Sequence, residues 1–186
     1  MADFSSIESE RLYMRPFKDE DALPMLEYHS DPEICRYIPW NVRNMEEVEK
    51  SISDNKTAFH LTQEGDYLTL ALCRKSDDQL IGQMNAMYRS KEHKKGEFGY
   101  VINPKFGGQG YASEASAALI TALFDSGLFQ RVIANIDVRN TPSWKLVERI
   151  GMRREAHYIQ DYWFKGEWTD SYIYATLKDE WASKKN

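Results

Sequence analysis

The chain has 186 residues, 42% hydrophobic and 28% charged, with a net charge of −5; this describes one globular domain over residues 1–186 that buries ~70% of its unfolded surface without a disulfide or metal staple. No apolar run approaches the ~18 residues of a membrane span, and the acidic start MADFSSIESER lacks the apolar stretch of a signal peptide. Residues 1–60 hold 13 acids against 7 bases and the rest 16 against 17, with no basic patch interleaved with aromatics, so neither a nucleic-acid nor a membrane partner is expected.

Arg11-Leu12-Tyr13-Met14-Arg15-Pro16-Phe17 alternates and stops at a proline, the pattern of a first strand. Asp19-Glu20-Asp21 then precedes a helical stripe of Ala22, Leu23, Met25, Leu26 and Tyr28, with acids at the positive end of the helix. A second helix is expected over Met45 to Leu61, and Ile38-Pro39-Trp40 is an aromatic loop between the two. The acids of this third fit either a solvated helix face or a surface for a cationic partner. From Asp66 the apolar period becomes two. Tyr67–Arg74 and Gln79–Arg89 read as a hairpin across Lys75-Ser76-Asp77-Asp78, and Glu97–Asn103 as the next strand after a charged turn. Helical spacing returns at Ala112, Ala115, Leu119, Ala122 and Leu123 and closes at Gly127. Arg131–Val138 is a strand. Thr141-Pro142 reads as a cap and first helical residue of a short helix that Gly151 ends. Aromatic strands around Arg154–Phe164 and Trp168–Leu177, joined at Lys165-Gly166, finish the chain. The order βαα-βββ-α-β-α-ββ predicts an α+β fold: a central mixed, mostly antiparallel sheet flanked by helices, with one crossover helix.

Asn103-Pro104-Lys105-Phe106-Gly107-Gly108-Gln109-Gly110-Tyr111-Ala112 joins a strand to the strongest helix. Its glycines let the backbone turn tightly and approach a ligand, and the helix start offers free N–H groups and a positive dipole end. That is a phosphate or pyrophosphate cradle, or a tight turn that holds nothing. A Walker A loop is excluded because no lysine follows Gly110. Gly108-Gln109-Gly110 with Ser113 imitates a dinucleotide fingerprint. The 76 residues after Gly110, however, hold antiparallel-looking strands instead of a second βαβαβ half. Cys35 and Cys73 lie far apart and fit inert thiols in a reducing cytoplasm. The four histidines form no ligand spacing, so no metal is expected.

Gly-Glu-Phe-Gly-Tyr-Val-Ile-Asn-Pro (96–104), followed by Gly107–Ala112 and Ser113-Glu114-Ala115, resembles the acetyl-CoA-binding core of the GNAT N-acetyltransferase superfamily. Val138-Arg139-Asn140-Thr141-Pro142-Ser143 with Glu148-Arg149-Ile150-Gly151-Met152 resembles its second cofactor motif. Glu10-Arg11-Leu12…Arg15-Pro16 and Gly166-Glu167-Trp168-Thr169-Asp170 are similar to the RimJ/RimL-like branch, which includes protein N-terminal and spermidine acetyltransferases. The resemblance spans about residues 8–181. It implies acetyl-CoA as cosubstrate and acetyl transfer to a primary amine, either a protein N-terminal α-amine or a small cationic amine such as a polyamine, by a monomer or homodimer. A GNAT-like domain that binds acetyl-CoA or a peptide without turnover is the alternative. Gly107 stands where the superfamily loop has Arg or Gln, and no tyrosine stands near Leu146–Glu148, where many members carry one.

The same resemblance assigns candidate residues. The backbone near Val101 and Ile102, which also suit a core strand, would pair with the pantetheine arm. Gly107, Gly108, Gln109, Gly110, Tyr111 and Ala112 would hold the pyrophosphate. Asn140 is a pantetheine contact or a helix-entry turn residue, and Ser143 a proton donor to the thiolate or a capping hydroxyl. Glu97 is the first candidate base, provided its alternation with Phe98 and Tyr100 puts it on the acceptor side; otherwise it is a surface carboxylate. Asp161 is the second candidate, and Asp170 a structural acid. The first two helices, the Ile38–Trp40 loop and the Tyr162–Phe164 strand are expected to bind the acceptor. Trp40, Tyr162 and Trp163 would be its aromatic contacts, with helix acids suiting a cationic amine.

Overall fold

Residues 2–183 are described by a computed structural model. Short strands β1 (Ala2–Asp3) and β2 (Ile7–Glu8) precede β3 (Leu12–Arg15), and helices α1 (Ala22–His29), α2 (Pro32–Cys35) and α3 (Met45–Asn55) follow. Next come β4 (His60–Leu61), β5 (Tyr67–Arg74), β6 (Gln79–Ser90), β7 (Lys95–Ile102) and the long helix α4 (Tyr111–Asp125). The chain ends in β8 (Arg131–Asp137), α5 (Thr141–Arg149), β9 (Arg153–Phe164), β10 (Glu167–Leu177) and α6 (Lys178–Ser183). Eight strands form one sheet in the order β2-β3-β5-β6-β7-β8-β10-β9, and β1 pairs with β4 as a separate ribbon. Every pairing is antiparallel except β7–β8, which α4 connects. Among the described residues no helix is long and apolar enough to cross a membrane.

The expected order is present, with β1, β2, β4, α2 and α6 added to it. Two local expectations differ. The helix predicted to reach Leu61 stops at Asn55, whose Nδ2 turns back onto the Ser51 carbonyl at 2.7 Å. His60 and Leu61 then pair with Asp3 and Ala2, so their backbone groups bond across strands instead of along a helix. The cap of α5 is Asn140, not Thr141: its side chain accepts from the Ser143 N–H at 3.3 Å, and Thr141 is the first helical residue.

Period two decides which face each strand residue takes. On β5, Leu68, Leu70 and Leu72 pack with Leu119 and Leu123 of α4, while Ala71 and Cys73 pack with Met25 of α1 and Ile52 of α3. Each of those leucines is fully buried, worth ~1.5–3 kcal/mol before entropy. On β7, Phe98, Tyr100 and Ile102 take the α4 side and Val101 the α1 side, which turns Glu97 and Gly99 to the α1 side as well.

The register of β7 and β8 positions the site. They pair only at Lys95↔Arg131, Gly96↔Val132 and Glu97↔Ile133. Beyond that point β7 stays on β6 as far as Ile102, and β8 stays on β10 as far as Asp137. The sheet opens into a V, with the backbone edge of Phe98–Ile102 facing the gap.

Candidate active site

The V opens onto a cavity of about 420 Å³. Glu97, Gly99 and Val101 of β7 and Asn85 of β6 form its floor, Asn140 and Ser143 its α5 side, and Trp40, Tyr162 and Phe164 its aromatic wall. Glu97 lines the cavity from the β7 face it shares with Gly99, across from Asn85, the face opposite Phe98 and Tyr100. Its Oε2 accepts from Arg89 Nε at 2.6 Å. Next to it, Gly99 has no side chain, and a Cβ there would meet nothing within 4 Å, so the floor is open beside the carboxylate.

Ser143 sits in the first turn of α5. Its Oγ accepts from the Tyr100 hydroxyl at 3.2 Å. Burial raises the Tyr100 pKa, although the bond to Ser143 works the other way, so the phenol stays protonated. No tyrosine comes from α5, but one arrives from β7, 43 positions away in sequence. Alternation with Phe98 marks Tyr100 only as a core-facing residue; nothing local announces its partner.

The turn after β7 is a backbone device. Gly108 and Gly110 have φ of +74° and +81°, the left-handed region that glycine enters at little cost. Gly110 is the N-cap of α4 and brings no side chain to it, whereas Asn44 and Asn140 cap α3 and α5. The start of α4 is therefore left for an external acceptor. Glu114 in its first turn does not compete. Its carboxylate takes Arg11 Nε at 2.6 Å, the Arg11 backbone N–H at 2.8 Å and Ser9 Oγ at 2.7 Å. Burial works to raise the Glu114 pKa, but these bonds outweigh it and hold the carboxyl below its ordinary value. Arg11 also donates to the Gln109 carbonyl at 3.1 Å, fixing the loop. At Gly107 a Cβ would lie 3.1 Å from the Pro104 oxygen, so the turn leaves little room for a side chain there. A cation stands nearby: Arg149 of α5 reaches Ser113 Oγ at 3.5 Å.

Ile102 and the Gly107–Ala112 turn lie beyond the cavity lining, and two residues expected on the acceptor side, Asp161 and Trp163, fall outside it as well. Tyr162 and Phe164 line it, stacked 5.4 Å apart, so the alternating Asp161 and Trp163 face the other way. Trp163 packs edge-on against Trp168 at 5.5 Å and is 58% exposed. Asp170 is structural, accepting from the Gln160 N–H at 2.9 Å and standing 3.4 Å from His157. The helix acids are also absent from the lining: Asp21 binds Arg15, Glu27 binds Lys105, Asp19 binds Lys56 and Glu47 closes the α3 cap. Trp40 and Tyr162 line the cavity; Trp163 and the helix acids do not. Both cysteines are buried, which pushes Cys73 up to about 11 and raises Cys35 too, so neither is a thiolate nucleophile.

The family model described as an acetyltransferase (GNAT) domain matches residues 11–153. The chain is 34% identical to the Bacillus subtilis (strain 168) protein named uncharacterized N-acetyltransferase YnaD, over 94% of this chain and 98% of that one. It is 31% identical to the uncharacterized N-acetyltransferase p20 of Bacillus licheniformis, over 95% and 98%. Among solved structures, a GNAT-family acetyltransferase from Bacillus anthracis superimposes with a TM-score of 0.85 at 33% identity, covering 94% of this chain and 99% of that one. RimL, a ribosomal L7/L12 alpha-N-protein acetyltransferase solved in complex with coenzyme A, shares the fold with a TM-score of 0.76 at 18% identity, over 92% and 97%.

Proposed function

The chain belongs to the GNAT acetyltransferase family, and from that premise we propose that residues 1–186 act as one catalytic unit that moves an acetyl group from acetyl-CoA to a primary amine held in the V-shaped cavity. The amine is a protein N-terminal α-amine or a small amine. The observation that carries this reading is the splayed β7 edge leading through the glycine turn to a helix start that no side chain caps.

When bound, acetyl-CoA supplies a thioester whose carbonyl carbon the amine attacks: the C–N bond forms, the C–S bond breaks and the sulfur leaves as a thiolate. The chain's own residues do the rest. The free backbone edge around Val101 and Ile102 offers strand-like hydrogen bonds to the pantetheine amides, and an N–H there polarises the thioester carbonyl. The loop from Gly107 to Ala112 takes the pyrophosphate on backbone N–H groups, with Arg149 supplying the cation that position 107 lacks. Glu97 accepts the proton of the attacking ammonium, directly or through water. Ser143 gives its hydroxyl proton to the thiolate, and Tyr100, already donating to Ser143 Oγ, replaces it. Asn140 holds the α5 start on which Ser143 stands.

The test is incubation with acetyl-CoA and a panel of amines, reading released thiol. Amine-dependent release above solvent hydrolysis is expected. Binding of acetyl-CoA without release for any amine would instead identify a binding domain.

A further inference from the structure

A chain of hydrogen bonds whose direction one arginine fixes runs behind the proposed acceptor side and ends at the cavity on Asn85. Arg43 only donates, so its 3.3 Å contact with His29 Nδ1 makes that nitrogen an acceptor and leaves the ring proton on Nε2. His29 Nε2 then donates to Gln83 Oε1 at 2.8 Å, and Gln83 Nε2 donates to Asn85 Oδ1 at 3.2 Å. His29 and Gln83 are buried, so no bulk water competes for these groups, and each amide orientation follows from the one before it. Asn85 ends the chain with its oxygen engaged. Its Nδ2 is left as a donor at the cavity, and among the described residues nothing accepts from it. Trp40, stacked on His29 in the same wall, carries a second donor without a partner, its buried Nε1–H.

Charge and spacing narrow what satisfies these donors. The carboxylates lining the cavity are Glu97 and Asp137, and each lies 2.6 Å from an arginine, Arg89 and Arg139. Arg139 holds both oxygens of Asp137, whereas Arg89 takes only Oε2 of Glu97, so Glu97 Oε1 is left for one ammonium and no lining carboxylate oxygen for a second. Asn85 lies directly across from Gly99, and Glu97 is two residues before Gly99 on the same face. Such diagonal positions stand ~7–8 Å apart. An amine and a carbonyl oxygen on the second carbon from it bridge that span with a ~3 Å hydrogen bond at each end.

We infer that the acceptor is an α-amino carbonyl compound with a single ammonium, its nitrogen at Glu97 and its carbonyl oxygen on Asn85 Nδ2, and that polyamines are rejected. This rests on the acetyltransferase reading above. A polyamine offers only donors to Asn85 and brings charges the cavity does not neutralise, whereas a carbonyl oxygen satisfies the donor the chain presents.

The experiment compares kcat/KM, from thiol release, for phenylalaninamide, free phenylalanine, a phenylalanine-led tripeptide, phenethylamine and spermidine, in wild type and Asn85→Asp. Asn85→Asp keeps an oxygen for Gln83 and removes the donor. In wild type, phenylalaninamide or the tripeptide should exceed phenethylamine by ~10-fold or more, with spermidine below both. In Asn85→Asp that preference should shrink to within about threefold, while the thermal shift induced by acetyl-CoA stays as in wild type. Whether the tripeptide or the free amino acid is used best identifies a chain terminus or a metabolite as the source; either outcome supports the inference. Spermidine or phenethylamine matching phenylalaninamide in wild type overturns it, as does an unchanged preference in a folded Asn85→Asp protein. Thiol release without preference overturns this inference alone. No release with any amine overturns the acetyltransferase reading and this inference with it.

Discussion

The two halves of the cleft are built by different means. The half assigned to acetyl-CoA comes from one continuous stretch, β7, its turn and α4, and its features belong to the backbone: an unpaired strand edge, two left-handed glycines and an uncapped helix start. The half assigned to the acceptor is assembled from β6, the loop at Trp40, β7 and the β9–β10 hairpin. A single lysine ties its roof together, with Lys165 Nζ donating to the carbonyls of Cys35 at 2.5 Å and Trp40 at 2.7 Å. A turn made of backbone tolerates almost no change in its key residues. A wall made of remote side chains can be revised residue by residue, which is how one fold comes to serve different amines.

The comparison breaks most sharply at Gly110. Gly110→Asp forces a side chain into φ of +81° and puts a negative charge where we propose the pyrophosphate is held, so turnover and the acetyl-CoA thermal shift should both disappear. A folded Gly110→Asp protein with the wild-type thermal shift would show that this turn does not hold the cofactor.

Glu97 sits where the halves meet, on the strand of one and the floor of the other. Glu97→Gln keeps the shape and removes the basicity, so kcat should fall ~10²–10⁴-fold while the acetyl-CoA shift is retained. Raising the pH supplies free amine and should return part of the rate. Ser143→Ala should lose rate without that recovery, because its defect is at the leaving thiolate. If Glu97→Gln turns over normally at neutral pH with chemistry rate-limiting, the amine arrives already deprotonated and the carboxylate only holds Arg89 in place.

The same contrast explains what the sequence made legible. Alternation set Glu97 on the face opposite Phe98 and Tyr100 but left open whether that face meets the site, and the strand–turn–helix run of 96–115 carried the glycine turn, because these signals are local. The end of α3 was not legible: Phe59-His60-Leu61 continues an apolar pattern, and only β1, far away in sequence, makes it a strand. Asp161 and Trp163 were misplaced for another reason. β9 is an edge strand exposed along nearly all its length, with Gln160 at φ of +49° and a register shift between Thr169 and Ser171, so no buried alternation marks its inner face. The Tyr100–Ser143 bond is tertiary, and the Gln83–Asn85 bond, though between same-face neighbours on β6, takes its direction from His29, far away in sequence.

The smallest expected effect tests whether the acceptor wall depends on the His29 chain. Burial pushes the His29 pKa down to about 4 from 6.5, with the guanidinium of Arg43 adding to the fall and the bond to Gln83 opposing it. Between these values the unfolded chain binds a proton that the folded protein refuses, so stability falls as pH drops from 6.5 toward 4 and is fully present above 6.5. The contribution is roughly 3 kcal/mol in total, of which about 2 kcal/mol is lost between pH 7 and pH 5. For a chain of this size that corresponds to a Tm decrease of about 4–8 °C. His29→Gln cannot take up the proton, so its Tm, though lower at pH 7, should fall by that much less over the same interval. Every other ionisable group is common to both proteins, so the difference between the two curves isolates position 29. Parallel Tm curves for wild type and His29→Gln would mean that His29 is protonated in the folded protein. Nδ1 would then donate instead of accepting, Arg43 would be displaced, and the direction of the chain ending at Asn85 would no longer be fixed.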